Sequence, residues 1–571
     1  HRDLHSFPTR RSSDLPRVYN YDMGAYEVQY SRWKETASST DWNTAGNWDG
    51  GTPSVTRDVI IPSGATYYPT STPGPDFTIG SGKQMIIEPG ARVTLNSLTN
   101  NGIIKLNHNN TNFATLILDN YTRGTGGTEE IQLYLEGGGS ALLNDYKWHY
   151  ISTPVSSLST DVFTVNTYNL AQFIESRVSL DLLQGWVAFD GYVYSGGTGP
   201  TFNTLTPGKG YNYFNDVDNT YTFGGLFNTS SVTSPLSFNG VASIHGFNIL
   251  GNPFPAGLNW DDIIEGVYYP YPANTSKGLY FTHYNEQCSY IAGVGVPSSV
   301  NGIIPPMQGF FTKTYSINNS ITLPLEARTH NNIPSRYKGE TIIPLVRLAI
   351  FENVVSNDET VVRFNDLAKS DLDNDYDALK MFLSANKTSI HTSAGGINFA
   401  INGQPFPESI IEIPVIVNVV SAGTHKISAT QLQGLDNYNI SLTDKTTGFT
   451  ANLKTTPDLT FSASAGSISD RFTLTISNAS TGTEDINSLD DNFIIYHNFD
   501  KINIQTLADD WNGKTGSVKV LDMAGKVVSD LQNTEFSKTS VTQVQAPALN
   551  GLYMLEIRSG VKRFVGKVVV R

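Results

Sequence analysis

The chain has 571 residues, 38 Lys and Arg against 52 Asp and Glu, and a formal net charge of −14. That length exceeds what one hydrophobic core organises, so several domains are expected. An acidic chain without a basic patch repels phosphate backbones and anionic lipid, which argues against nucleic acid and charged membrane surfaces as partners.

Charged residues make up only 16%, below the roughly 25% of ordinary soluble domains. Thr, Ser, Asn, Gly and Tyr fill the balance, a composition suited to twisted sheets with many tight turns, exposed to medium rather than cytosol. Cys288 is the single cysteine, which rules out an intrachain disulfide and a Cys-based metal cage. No apolar run approaches about eighteen residues, so no transmembrane helix is expected.

Residues 1–15, "HRDLHSFPTRRSSDL", can be back-translated in order into a string that resembles a common sequencing adapter. They are set aside from fold reasoning as an artefact and expected to be disordered. Arg2, Arg10 and Arg11 against Asp3 and Asp14 contribute +1, which leaves the rest at −15. On this reading the natural start of the protein is missing and the chain is a truncated fragment. The next stretch, "PRVYNYDMGAYEVQY", carries Asp22, Met23, Gly24, Ala25, Tyr26 and Glu27. It resembles the closing motif of bacterial surface proteins built on a right-handed parallel β-helix, so residues 16–32 are assigned as the remnant of an upstream β-helix.

Residues 33–127 read as a β-solenoid-like module. Short apolar pulses in "KQMIIEPGARVTLNSLTNNGIIKLNHN" alternate with "PG" and "NNG" turns, as expected when each rung supplies a few stacking side chains. The lead-in "WNTAGNWDGGTPSVTRDVIIP" resembles a module of large Bacteroidetes surface proteins. Its Trp42 and Trp48 are read as a cap on the open end of the solenoid, with sugar stacking as the competing reading.

Residues 128–330 are expected to hold a duplicated β module. "KWHYISTPV" at 147–155 corresponds to "GFNILGNPF" at 246–254, and "LTPGKGYNYF" at 205–214 to "IPPMQGFFTK" at 304–313, both at an offset of 99. In each block an aromatic strand ends at a turn bearing Pro154 or Pro253, and a later turn uses Gly210 or Gly309. The phrases "GFNILGNPFPAGLNW" and "IIPPMQGFF" look like those of β-rich stalk modules that precede the sorting domain in proteins exported by the type IX secretion system.

Residues 331–478 read as a β-sandwich from alternating strands such as "VRLAIFEN" and "IIEIPVIVNV". One helical turn is expected in "YDALKMFL", after the densest acidic cluster, "SDLDNDYDA". There Asp371, Asp373, Asp375 and Asp377 alternate like the oxygen ligands of a calcium loop. Tyr376 and Phe382, however, stand where an EF-hand needs Gly and a bidentate Glu. The competing reading has Asp373 or Asp375 capping the helix while the others face water.

Residues 479–489 are the linker, and 490–571 the last domain. Val518, Val520, Asp522, Gly525 and Lys526 form V-x-V-x-D-x-x-G-K, Gly551, Leu552 and Tyr553 form "GLY", and Lys567 precedes the final strand. The segment closely resembles the type A C-terminal sorting domain of type IX secretion. "IIYHNFDKINI" departs from the "YPNP" turn that many members of the family carry, which suggests a subtype. The resemblance implies an Ig-like β-sandwich that is recognised by the outer-membrane translocon and removed by a sortase-like protease.

The expected fold is therefore all-β and multidomain: a short solenoid-like segment, tandem sandwich-like modules and a terminal Ig-like sandwich. No G-x-S-x-G, H-E-x-x-H, P-loop or dinucleotide fingerprint is present, so the chain is not expected to be an enzyme, and no cofactor is expected beyond the calcium candidate. The expected role is that of a secreted or cell-surface, adhesin-like protein with a glycan or surface polymer as ligand. The alternative makes these modules accessories of an extracellular polysaccharide-degrading enzyme with its catalytic β-helix upstream.

Overall fold

The computed structural model describes residues 30–139, 146–163, 169–193, 196–240, 244–283, 286–330, 343–352, 355–381, 387–478, 492–498 and 500–570. The expectations for residues 1–15, for the Asp22–Glu27 motif and for the 479–489 linker lie outside them. The chain divides into two compact units, residues 1–436 with 440–476, and residues 477–571 with 437–439. The architecture is all-β, and among the described residues the single α-helix is Trp260–Ile264.

The first unit opens with a parallel solenoid. Strands Tyr30–Trp33, Asp58–Ile61, Gln84–Ile87, Ile103–Leu106 and Thr128–Leu135 stack in one sheet, and Asp76–Ile79, Arg92–Asn100 and Thr115–Arg123 in the second. The register places Ile61, Ile87, Leu106 and Ile131 in one inward ladder. All four are essentially buried, and each side chain hidden in this way contributes roughly 1.5–3 kcal/mol. Gly102 in the "NNG" turn has no room for a side chain, because a Cβ there would sit 2.0 Å from the Lys83 carbonyl.

The ends of the stack are closed by different means. At the first rung, strand Trp48–Asp49 pairs antiparallel with Tyr30–Trp33. Trp48 meets Trp33 and Trp42 edge-on, each at 4.9 Å, and its indole N–H donates 2.7 Å to the Trp42 carbonyl. With Trp42 and Trp48 both buried, they cap the core and present no ring to a sugar. The last rung, Thr128–Leu135, lies beyond the boundary expected at residue 127 and is covered antiparallel by Asn219–Phe223.

The repeat is present down to its hydrogen bonds. His149–Ile151 pairs with Tyr211–Tyr213, and Phe247–Gly251 with Gly309–Lys313, so that Tyr150↔Asn212 matches Ile249↔Phe311 at the offset of 99. Each pair sits in a sheet of the same order, continued by Leu170–Phe173 and Trp186–Ala188 in the first copy and by Leu279–His283 and Glu286–Ile291 in the second.

The copies also contact each other reciprocally. Ile151 bridges Gln308 while Leu250 bridges Lys209; the Ser152 N–H donates to the Met307 carbonyl at 2.8 Å, and the Gly251 N–H to that of Gly208 at 3.1 Å. Residue i touching j′ while i′ touches j is the signature of a two-fold contact, here enclosed within one chain.

Strands from Leu345–Glu352 to Gly466–Asn478 join one eleven-stranded sheet. Two buried arginines tie it to the second repeat: Arg363 donates to the Ile291 and Ala292 carbonyls at 3.1 and 3.0 Å, and Arg347 to that of Gly295 at 2.9 Å.

The open edge of the solenoid's second sheet is sealed by residues distant in sequence. Arg328 donates 2.6 Å to the Leu118 carbonyl, and His330 is hydrogen-bonded to the Thr94 and Thr115 hydroxyls at 3.0 and 2.8 Å. Burial, with Arg92 and Arg328 nearby, pulls the imidazole of His330 down from 6.5 to about 3. As pH falls the unfolded chain takes up this proton first, so the histidine's contribution is whole above pH 6.5 and is lost progressively toward pH 3. Between pH 7.5 and 4.5 the wild type should lose roughly 3 kcal/mol more stability than a His330→Gln variant. Denaturant unfolding at the two pH values checks this, and equal losses in the two proteins would refute it.

Candidate functional site

The second unit is a seven-stranded antiparallel sandwich. Phe493–Asn498, Lys501–Thr506 and Thr542–Gln545 form one sheet, and Val527–Phe536, Lys514–Leu521, Gly551–Ser559 and Lys562–Val570, in that order, the other. Its core includes Val518, Val520, Leu555 and Ile557, none measurably exposed, together with Trp511, Phe493 and Phe564. The "IIYHNFDKINI" segment makes an ordinary antiparallel hairpin from Phe493↔Thr506 to Asn498↔Lys501.

Each element of the sorting motif has a physical role in this fold. Val518 and Val520 alternate inward and pair with Ile557 and Leu555. Asp522 closes the turn that follows: its Oδ1 accepts the Ala524 and Lys526 N–H groups at 3.0 and 2.9 Å. Gly525 adopts φ +81° there, a left-handed conformation that glycine takes at no steric cost.

Gly551 and Leu552 open the strand that crosses the sheet centre. Tyr553 is buried and donates its hydroxyl 2.8 Å to the Leu549 carbonyl, pinning the preceding loop. The exposed members are Gly525 and Lys526, at the turn, and Lys567, on the outer face opposite Met554. The motif thus encodes a hairpin and a corner, with two cations on the surface.

The outer face around Lys567 carries a half-buried apolar group: Leu521, Met554, Leu552 and Val569. Charge surrounds it. Glu556 is held down to about 2 by the Arg558 and Arg563 guanidiniums beside it, at 2.7 and 2.5 Å.

The acidic cluster does not assemble as a cation site. Asp373 and Asp377 are buried, whereas Asp371 and Asp375 are exposed, and Asp375 pairs with Lys277 at 2.9 Å. Asp373 accepts the N–H groups of Lys369 and Asp375 at 3.1 and 3.0 Å. Asp377 accepts those of Asp373 and Gly403 at 2.7 and 2.6 Å. The four carboxylates thus do not converge: Asp373 and Asp377 are committed to backbone donors, and Asp371 and Asp375 face solvent. Among the described residues no group of three or more His, Cys, Asp or Glu side chains is placed to hold a metal.

The helix expected in "YDALKMFL" is also absent over its described part. A turn over Asn374–Tyr376 leads into strand Ala378–Leu379, which pairs with Ile397–Gln404. Pairing across the sheet overrides the local helical pattern. The helix that does form, Trp260–Ile264, has a start signal that the apolar pattern alone does not reveal: Asn259 accepts the Asp261 N–H at 3.2 Å, with two acids in the first turn.

Two family models match the chain. A family described as a domain of unknown function, DUF8693, covers residues 32–476, and the secretion system C-terminal sorting domain covers residues 498–571. No curated protein matches. Among solved structures, dimeric latent PorU from Porphyromonas gingivalis shares 11% identity over 44% of this chain, with a TM-score of 0.12. The BSP domain of a biofilm associated protein shares 10% identity over 77% of this chain and 95% of its own, with a TM-score of 0.14. The chain spans 31% of the PorU chain, and at these TM-scores neither likeness defines the fold.

The terminal domain directs export by the type IX machinery to the cell surface or the extracellular space. No helix among the described residues is long and apolar enough to cross a membrane. With the body matched over 445 residues and the tail over the last 74, the chain belongs to the DUF8693 family and carries a type IX secretion C-terminal sorting domain.

Proposed function

We propose that this chain is a non-catalytic, adhesin-like surface protein whose body contacts a glycan or another surface polymer. Its tail is read by the outer-membrane translocon and removed by a sortase-like protease. The observation that supports this best is the union of a sorting domain with a body whose modules are stitched by strand pairing and by arginine and histidine side chains. Asn219–Phe223 closes the solenoid, Arg328 and His330 seal its second sheet, and Arg347 and Arg363 tie the last sheet to the repeat. Such a scaffold holds its turns and loops in fixed positions for contact, which is how rigid β-architectures present binding residues.

The test is incubation of the purified full chain with immobilised polysaccharides, measuring both retention and release of reducing ends. Saturable retention without release is the expected result. Turnover abolished by a point substitution within residues 16–490 would replace this reading with an enzymatic one.

A further inference from the structure

The duplication supplies an internal control, because whatever both copies share serves the common fold. From the 3-10 turn Thr160–Val162 to the helix Trp260–Ile264 the offset is 100. Across the next strand it becomes 109, since Ala171 pairs with Asn212 as Tyr280 does with Phe311. The connection between these elements is therefore nine residues longer in the second copy, within the stretch "EGVYYPYPANTSKG" at 265–278. Insertions specific to one repeat map to loops and often to the binding face.

The inserted loop is anchored at one end and displayed at the other. Its later half is bound down: the Tyr271 hydroxyl donates 2.7 Å to the Ser276 carbonyl, Asn319 donates 2.8 Å to that of Ala273, and the Ser276 N–H donates 2.7 Å to that of Lys313. Its earlier half places three consecutive apolar residues in solvent, Val267, Tyr268 and Tyr269, at 54, 42 and 40% exposure. Pro270 and Pro272 restrict the backbone beside them. Tyr269 is steadied by its hydroxyl, 3.3 Å from the Ser231 hydroxyl, which also accepts the Leu325 N–H at 3.0 Å. A fold does not need exposed tyrosines on a loop that its twin copy lacks.

The charge around the pair selects the ligand. Glu265 is exposed at the start of the loop, and the basic residues nearest in sequence, Lys277 at the loop's end and Arg328 after Glu326, are already paired with Asp375 and Asp119 at 2.9 and 2.8 Å. With those cations neutralised by their own partners, an exposed carboxylate repels uronates, sulfates and phosphates but accepts hydrogen bonds from sugar hydroxyls. Rings with one apolar face and a polar tip suit the C–H face of a pyranose.

We propose that Tyr268 and Tyr269 form a stacking platform for a neutral polysaccharide. This rests on the polymer-contacting reading above and gives it a location and a substrate class.

Affinity electrophoresis of the full chain through gels containing β-glucan, xylan or galactomannan, with alginate as the anionic comparison, tests it. Retardation by at least one neutral polymer and none by alginate is expected. A Tyr268→Ala/Tyr269→Ala variant should bind at least about tenfold more weakly, while Tyr268→Phe/Tyr269→Phe keeps most of the retardation because the rings remain. An unchanged melting temperature shows that the alanine variant is folded.

Undiminished retardation of that variant overturns the platform and leaves the wider polymer-contact reading standing. Retardation by alginate alone overturns the neutral class. No retardation of the wild type in any gel overturns both.

Discussion

Removing residues 490–571 abolishes surface display and leaves the remainder of the chain in the periplasm; this is the largest effect expected of any change to the protein. The reason is that the signal is a folded object. Val518, Val520, Leu555 and Ile557 are buried in the centre of one sandwich, and Asp522 and Gly525 shape the turn beside it. Val520→Asp should therefore reproduce the deletion, because an unpaired carboxylate in that core costs several kcal/mol, comparable with the whole stability of a small domain. Lys567→Ala removes an exposed charge and no core contact, so it should leave the fold intact, and loss of display in that variant would separate recognition from folding. Fractionation and protease accessibility on intact cells read the result, and normal display without residues 490–571 would sink the assignment.

Gly210→Ala and Gly309→Ala are each expected to destabilise the first unit by about 3 kcal/mol or more. These residues occupy equivalent places on the two sides of the internal two-fold. A Cβ on Gly210 would lie 2.4 Å from the Leu250 carbonyl oxygen, and one on Gly309 2.9 Å from that of Ile151. The obstacles are backbone atoms of the partner copy, which cannot yield without breaking the Lys209 and Gln308 bridges. Exposed glycines offer the control: at Gly395 and Gly448 an added Cβ would have nothing within 4 Å of it, although their positive φ adds a local cost. Denaturant unfolding of the two variants checks this, and losses below about 1 kcal/mol would show that the copies are not in firm contact.

Much of the fold is legible in the amino-acid sequence. The solenoid can be read from apolar pulses between Gly and Asn turns because each rung repeats the same local problem. The offset of 99 is visible because equivalent strands require the same aromatic and glycine residues, and it reappears unchanged as register in the two strand pairs. The sorting motif can be read for a similar reason: inward valines, a turn-closing Asp and a left-handed Gly lie within nine residues of one another.

The acidic cluster is not legible in the same way. Its spacing suits calcium, but Asp377 faces the N–H of Gly403, 26 residues away, and Asp373 the N–H of Lys369. Nothing in Asp-x-Asp-x-Asp-x-Asp distinguishes a carboxylate that waits for a cation from one already committed to the backbone. The inserted loop at 265–278 is discoverable in principle, since the blocks at offset 99 bracket it, but exposure alone distinguishes its tyrosines from the many aromatic residues of the core.

The division follows from the range of the interactions. By itself the amino-acid sequence determined the all-β class, the duplication and the export signal, because each rests on periodicity, turn chemistry or a compact motif, whereas burial decided that Trp42 and Trp48 form a cap. Only the tertiary structure decided that Asn219–Phe223 completes the solenoid, that His330 seals an edge more than 200 residues before it, and that the two copies clasp reciprocally. The strand cover and the clasp are made by backbone N–H and C=O groups, which nearly every residue type carries alike, and the His330 contacts by hydroxyls of two of the chain's many threonines, so the choice of partner is settled by where the chain arrives in space.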